Sequence, residues 1–150
     1  VNGDFEIGTS SWRVEGQMGS YVTLSADTTT PINGTGSAAV DVQLVTGTDW
    51  HVQLAITYEF LMRAGRDYYI RYTARSTVDT NVRVNIQDPA PPYAVYNVRE
   101  DMMLTTTPRT YNAVIHPTQS VYVRLTIVLG NDVGVVTVDD VSFAEGFTPP

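Results

Sequence analysis

The chain has 150 residues, 43% apolar and only 17% charged, which is enough apolar surface for one core and too much for an intrinsically disordered segment. Its formal charge of −7, with nine arginines and no lysine, argues against a nucleic-acid partner, because affinity for phosphates depends on clustered cations. The absence of cysteine removes disulfides, thiolate nucleophiles and cysteine-ligated metals, and no apolar run nears the roughly 20 residues of a membrane span, so no membrane partner is expected.

Threonine and valine number about twenty each, a β-branched bias that favours strands over helices. In chain order, the turn Asn33-Gly34-Thr35-Gly36 precedes a strand predicted over 50–57. Arg63-Ala64-Gly65-Arg66 separates it from a strand over 68–75. The next strand, 81–87, alternates strictly: Val82, Val84 and Ile86 face one way, Arg83, Asn85 and Gln87 the other. Pro89-Ala90-Pro91-Pro92 ends it. A strand over 111–115 lies between Thr107-Pro108 and His116-Pro117. Over 121–129, Val121, Val123, Leu125, Ile127 and Leu129 share one face, opposite Tyr122, Arg124, Thr126 and Val128. Gly130-Asn131-Asp132 reads as a hairpin turn into the last strand, 135–143. No segment carries a sustained 3.6-residue apolar stripe. Many short strands at roughly 8–12-residue spacing predict an all-β fold, a β-sandwich or barrel.

The start Val1-Asn2-Gly3-Asp4 has neither the basic nor the apolar stretch of a leader. The end, Gly146-Phe147-Thr148-Pro149-Pro150, reads as the opening of a Pro/Thr linker. The expectation is a module over 1–146, with a linker starting at 147–150, taken from a longer polypeptide.

Catalytic signatures are sparse. His51 and His116 stand in unrelated contexts, and no Gly-x-Ser-x-Gly elbow occurs. A two-carboxylate glycosidase needs acids about 5–9 Å apart across one cleft, whereas the adjacent pairs Glu100-Asp101 and Asp139-Asp140 cannot share a strand face. The outward rows instead carry planar hydrogen-bonding groups: Gln53, Arg83, Asn85, Gln87 and Arg124. Trp50 and Tyr93 stand at strand edges near them. Sugars need this pairing, since a pyranose packs its C–H face on a ring and takes bonds to its hydroxyls from amides and guanidinium. On these residues alone, a sugar-binding face and a solvated sheet face beside a core tryptophan stand level.

The opening Asn2-Gly3-Asp4-Phe5-Glu6 with Ser11-Trp12 resembles that of carbohydrate-binding modules of family 4 and the related family 22. Further marks follow in order: Thr48-Asp49-Trp50-His51-Val52-Gln53-Leu54, then Gly65-x-x-Tyr68-x-Ile70-x-Tyr72-x-Ala74-Arg75, Val82-Arg83-Val84, Pro92-Tyr93, Leu129-Gly130 and Val138-Asp139-Asp140-Val141. The resemblance spans nearly the whole chain. It implies a non-catalytic jelly roll, a β-sandwich of two antiparallel sheets that binds a single soluble glycan chain across its concave face. It also implies an extracellular, monomeric module linked to a glycoside hydrolase, with β-1,3- or mixed-linkage β-glucan or xylan as ligand. By that likeness Trp50 and Tyr93 form the two walls of the cleft. Gln53, Arg83, Asn85, Gln87 and Arg124 supply its polar floor, and His51 stands at the cleft face or its edge.

Two positions depart from the family pattern: Glu15, where an aromatic or amide is usual, and Val128, where an amide, acid or histidine is usual. Tyr96 and Tyr122 are candidates for compensating rings. The resemblance further implies a structural Ca²⁺, held by the carboxylates of Glu6 and Asp139, the backbone carbonyls of Asp4 and Gly36, and the Asn33 amide. Hard oxygen ligands of this kind suit calcium. The competing classes are an adhesive β-sandwich with no glycan cleft and a jelly-roll glycoside hydrolase.

Overall fold

The computed structural model describes residues 2–146; the expected linker start at 147–150 lies outside them. Among the described residues the strands are β1 (Trp12–Gly16), β2 (Tyr21–Asp27), β3 (Ser37–Leu44), β4 (Val52–Ile56), β5 (Phe60–Met62), β6 (Asp67–Ser76), β7 (Thr80–Gln87), β8 (Met102–Leu104), β9 (Arg109–Ile115), β10 (Val121–Val128) and β11 (Gly134–Gly146). One sheet runs β1-β4-β10-β7-β8, with β5 also paired to β10, and the other runs β2-β3-β11-β6-β9. Every pairing is antiparallel. The fold is the expected all-β jelly-roll sandwich.

Period-two alternation explains how the layers close. Val82, Val84 and Ile86 of β7 and Val123, Leu125 and Ile127 of β10 point inward and are essentially buried. They meet Val40, Val42, Ile70, Tyr72, Val136 and Val138 from the other sheet in one core. Each such aliphatic side chain contributes ~1.5–3 kcal/mol on burial. Trp12 joins this core, its Nε1–H donating to the Asn2 carbonyl at 2.8 Å. That bond ties the N-terminal segment down.

Three expectations need correction. The strand expected over 50–57 begins at Val52, because Asp49–His51 form a 3-10 turn; strand parity therefore does not govern Trp50 or His51. Gly130-Asn131-Asp132 is not a hairpin, since β10 and β11 belong to different sheets and the turn crosses between layers. It is held there by close packing: the Gly130 N–H donates to the Asp49 carbonyl at 3.0 Å, and a Cβ on Gly130 would lie 2.2 Å from that oxygen. Finally, Asp139 and Asp140 do not diverge as adjacent strand residues should. β11 is bulged between Asp139 and Ser142, Asp140 has φ +50°, and both carboxylates bond to Asn33. A bulge inserts a residue and breaks the alternation that the expectation relied on.

Candidate functional site

The pairing registers lay out the outer face of the first sheet as a grid. One row across it holds Glu15, Gln53, Val128 and Arg83, on β1, β4, β10 and β7. Two residues along, the next row holds Arg13, Ala55, Thr126 and Asn85. Beyond it Arg124 faces Gln87. The small central residues Ala55, Thr126 and Val128 are fully buried although they point away from the core. Longer polar side chains close over them: Arg124 reaches from β10 past β4 to Glu15 on β1, Nη1 to Oε1 at 2.9 Å. Gln53, Arg83, Asn85 and Gln87 are themselves only 5–7% exposed.

Two aromatic rings rise from this floor, and with it they border a cleft of about 1000 Å³. Trp50 and Tyr93 are each 46% exposed. Trp50 extends from the turn before β4, beyond the Glu15–Arg83 row, whereas Tyr93 sits past the far end of β7, beyond Gln87. They therefore stand on opposite banks, with the cleft running across the strands between them.

Each ring is held by its backbone. The 3-10 turn under Trp50 is clamped by an ion pair between Asp49 and Arg83, by Gly130 behind it, and by Gln53 Nε2 donating to the Trp50 carbonyl at 2.8 Å. Tyr93 lies in a tight loop after a cis Pro91-Pro92 bond, at φ +57°. A left-handed tyrosine costs on the order of 1–2 kcal/mol and persists only where its surroundings dictate it. The loop is sewn back onto β7 by a bridge between Gln87 and Val95. Asn97 acts as a surrogate strand partner there, accepting from the Ile86 N–H at 2.7 Å and donating to the Val84 carbonyl at 2.9 Å. The Arg124 guanidinium lies 6.0 Å from the Tyr93 centroid, within reach of a cation–π contact.

The structure thus brings Trp50, Tyr93, Gln53, Arg83, Asn85, Gln87 and Arg124 to one cleft. His51 is the exception. Its ring packs edge-on against Trp50, 4.4 Å between centroids, and its Nδ1 meets Thr46 Oγ1 at 2.6 Å. It buttresses the wall rather than facing the cleft. Neither Tyr96 nor Tyr122 lines the cleft: Tyr96 donates its hydroxyl to Asp88 at 2.6 Å, and Tyr122, on β10 opposite Leu61 of β5, is exposed. Asp49, Arg13 and Asn97 went unrecognised in the sequence. For Asp49, an acid directly before the wall tryptophan was the available signal. Glu15 replaces the usual neutral group with a charge. Burial pushes its carboxyl up, but hydrogen bonds and charge from Arg124 and Arg13 outweigh this and leave it below the ordinary value.

The residues expected to hold calcium gather elsewhere, around the turn 33–37. Glu6 accepts from the Thr35 N–H at 2.9 Å, the Thr35 hydroxyl at 2.7 Å and the Gly36 N–H at 3.2 Å. Asp139, fully buried, accepts from the Ser37 hydroxyl at 2.7 Å and the Asn33 N–H at 3.1 Å. Burial pushes its carboxyl up. Asp4, Asn33 and Asp140 line an adjoining hollow. Among the described residues no three acidic, histidine or cysteine side chains group closely enough to hold a metal by themselves.

No family model matches the sequence, and no curated protein matches it either. Solved structures do. A CBM4 module superposes with a TM-score of 0.83 at 17% identity, covering 97% of this chain and 99% of the other. The fold is that of a family 4 carbohydrate-binding module. The same fold recurs in the N-terminal cellulose-binding domain of Cellulomonas fimi β-1,4-glucanase C (TM-score 0.66, 19% identity, 95% of this chain and 96% of that one). It recurs again in the CBM22-1 xylan-binding domain of Paenibacillus barcinonensis Xyn10C (TM-score 0.66, 12% identity, 95% and 90%). Within this module fold, the cleft described above lies on the outer face of the β1-β4-β10-β7 sheet. Among the described residues no helix is long and apolar enough to cross a membrane.

Proposed function

We propose that the chain is a non-catalytic module that holds a single soluble β-glycan chain, β-1,3- or mixed-linkage glucan or xylan, and directs an attached glycoside hydrolase to it outside the cell. The observation that carries this reading is the pair of half-exposed rings, Trp50 and Tyr93, on opposite banks of a polar trough. Each ring stacked on a pyranose supplies ~1–2 kcal/mol. The amides of Gln53, Asn85 and Gln87 orient the chain through its hydroxyls. A few such contacts, less the cost of association, give dissociation constants between about 1 µM and 1 mM. That suffices for a tethered module, because linkage raises the local concentration of substrate.

Hydrolysis is the weaker reading. The one carboxylate lining the cleft among the described residues is Glu15, held ionised by two arginines, whereas a general acid must keep its proton near neutral pH. Affinity electrophoresis against laminarin, barley β-glucan, xylan and mannan tests the proposal. Retardation by at least one supports it; retardation by none favours an adhesive sandwich.

Calcium belongs to the same proposal. Glu6 and Asp139 would hold it by their carboxylates, aided by the Asp4 and Gly36 carbonyls and the Asn33 amide. The fit rests on charge and ligand hardness: oxygen donors surround one turn, and a buried carboxylate there receives N–H and O–H bonds only. The fit requires Glu6 to give up some of its bonds to Thr35 and Gly36. Chelation should then lower the melting temperature by several degrees and leave glycan affinity unchanged; a melt indifferent to both chelator and added calcium would exclude the ion.

A further inference from the structure

Charge in the cleft and directly beside it is arranged in two clusters; Arg13, Glu15, Arg83 and Arg124 line the cleft, and Asp49 and Arg99 lie behind its Trp50 end. On the β1 side, Arg13 and Arg124 both bond Glu15, each at 2.9 Å. On the β7 side, Arg83 pairs with Asp49, and Arg99 reaches the same carboxylate at 3.8 Å. Each cluster sets two guanidinium groups against one carboxylate and so keeps one positive charge in excess. The chain carries nine cations and sixteen acids, yet here four cations meet two acids. Glu59 borders an adjoining hollow beside Arg13 and Arg124, Asp88 follows Gln87, and Glu100 and Asp101 follow Arg99, so the excess belongs to the two ion-paired clusters and not to their wider surroundings. Residue type is uninformative, since the chain has no lysine anywhere; location is what carries the inference.

The donors of these arginines are only partly used. Arg13 spends Nε and Nη2 on one oxygen, Glu15 Oε1, which also accepts from Arg124 Nη1. Arg124 Nε is buried and finds no partner within the protein. The side chains of Arg13 and Arg99 are 48% and 66% exposed, so the guanidinium of Arg99 and the Nη1 side of Arg13 are accessible. A neutral hydroxyl takes one such donor, whereas a carboxylate takes two in parallel and balances the charge. Arg13 on β1 and Arg83 on β7 stand on strands three spacings apart, roughly 14 Å at the usual inter-strand distance, with Arg124 on β10 between them. The acids elsewhere on the protein are screened over about 8 Å at physiological salt.

We propose that the cleft selects an acidic β-glycan, a chain bearing uronic acid residues whose carboxylates dock on the Arg13–Arg124 cluster and on the Arg83–Arg99 cluster. This rests on the glycan-cleft reading above. The test is affinity electrophoresis of the intact chain in glucuronoxylan and in mannuronate-rich alginate, each beside its carboxyl-reduced counterpart, with laminarin and barley β-glucan as neutral chains. At least one acidic chain should bind about tenfold or more tightly than its reduced form. Its affinity should fall severalfold between about 50 and 300 mM NaCl. The double variant Arg13→Gln, Arg99→Gln, both at exposed positions, should shrink the preference about fivefold. Equal affinity for native and reduced chains, or binding of neutral chains alone, would overturn the inference and leave the glycan reading standing. Retardation by none of the polysaccharides would overturn both.

Discussion

The two sheets present outward faces that read alike in sequence and behave differently in structure. On the β2-β3-β11-β6-β9 sheet, Gln43, Arg71, Thr110 and Asn112 are exposed, as a solvated face should be. On the other sheet, Gln53, Arg83, Asn85 and Gln87 are as buried as many core residues. Polar groups taken out of water must find partners or cost stability, and this face only partly provides them. Of the six buried side-chain atoms without a partner among the described residues, Gln53 Oε1, Arg124 Nε and Thr126 Oγ1 lie on it. The two outward faces therefore differ in how far each withdraws its polar groups from water.

The contrast is broken most directly by removing a wall. Trp50→Ala should lower glycan affinity about five- to thirtyfold, the loss of one ring worth ~1–2 kcal/mol. Retardation in a weak-binding gel would then vanish, while the melt stays within about 2 °C because the side chain is half exposed. Asn112→Ala on the opposite sheet should change neither measurement. A large fall in melting temperature for Trp50→Ala would make the ring structural.

A smaller effect is expected from behind the wall. In Gly130→Ala the added Cβ meets the Asp49 carbonyl at 2.2 Å, and backbone must shift to admit it. The turn carrying Trp50 should move off its clamp, with affinity falling severalfold and a destabilisation of about 1–2 kcal/mol, or roughly 2–8 °C for a chain of this size. Unchanged affinity would mean that Trp50 does not depend on the crossing turn for its position.

How much of this was legible follows from the range of each interaction. The faces of β7 and β10 were legible because alternation is a local property: Arg83, Asn85, Gln87 and Arg124 fall on the cleft side by parity alone. Trp50 and His51 lie in a 3-10 turn, where parity says nothing, so the sequence leaves His51 open between the cleft face and its edge, and the structure sets it at the edge, behind Trp50. The Asp49–Arg83 clamp joins positions 34 residues apart, and the Arg124–Glu15 bond joins positions 109 apart; no spacing rule reaches that far. Gly130-Asn131-Asp132 looked like a hairpin because turn chemistry records that the chain reverses, not which sheet receives it. The bulge at Asp139 was hidden for a similar reason. Its sequence, Val138-Asp139-Asp140-Val141, carries no glycine to mark it.

Glu15 gives the finest test of the contrast, because its charge is tied to the cleft arginines and can be removed by pH. Its carboxyl titrates below the ordinary value of 4.5 in the folded chain, so the unfolded chain binds its proton first as pH falls. The stabilisation is therefore full above about pH 5 and is lost as pH drops through the folded value. Glu15→Gln should cost about 1 kcal/mol at pH 7, a fall of roughly 2–4 °C. The gap between wild type and variant should close as pH falls below 4.5 and disappear once the wild-type carboxyl is protonated. On the opposite sheet, Asp41 meets Gln43 rather than a cation, at 3.0 Å and exposed, so Asp41→Asn should leave the melt nearly unchanged at either pH. A Glu15→Gln gap that persists unchanged into acid would mean the loss comes from packing, and the ion pair across the floor would then be ornamental to stability.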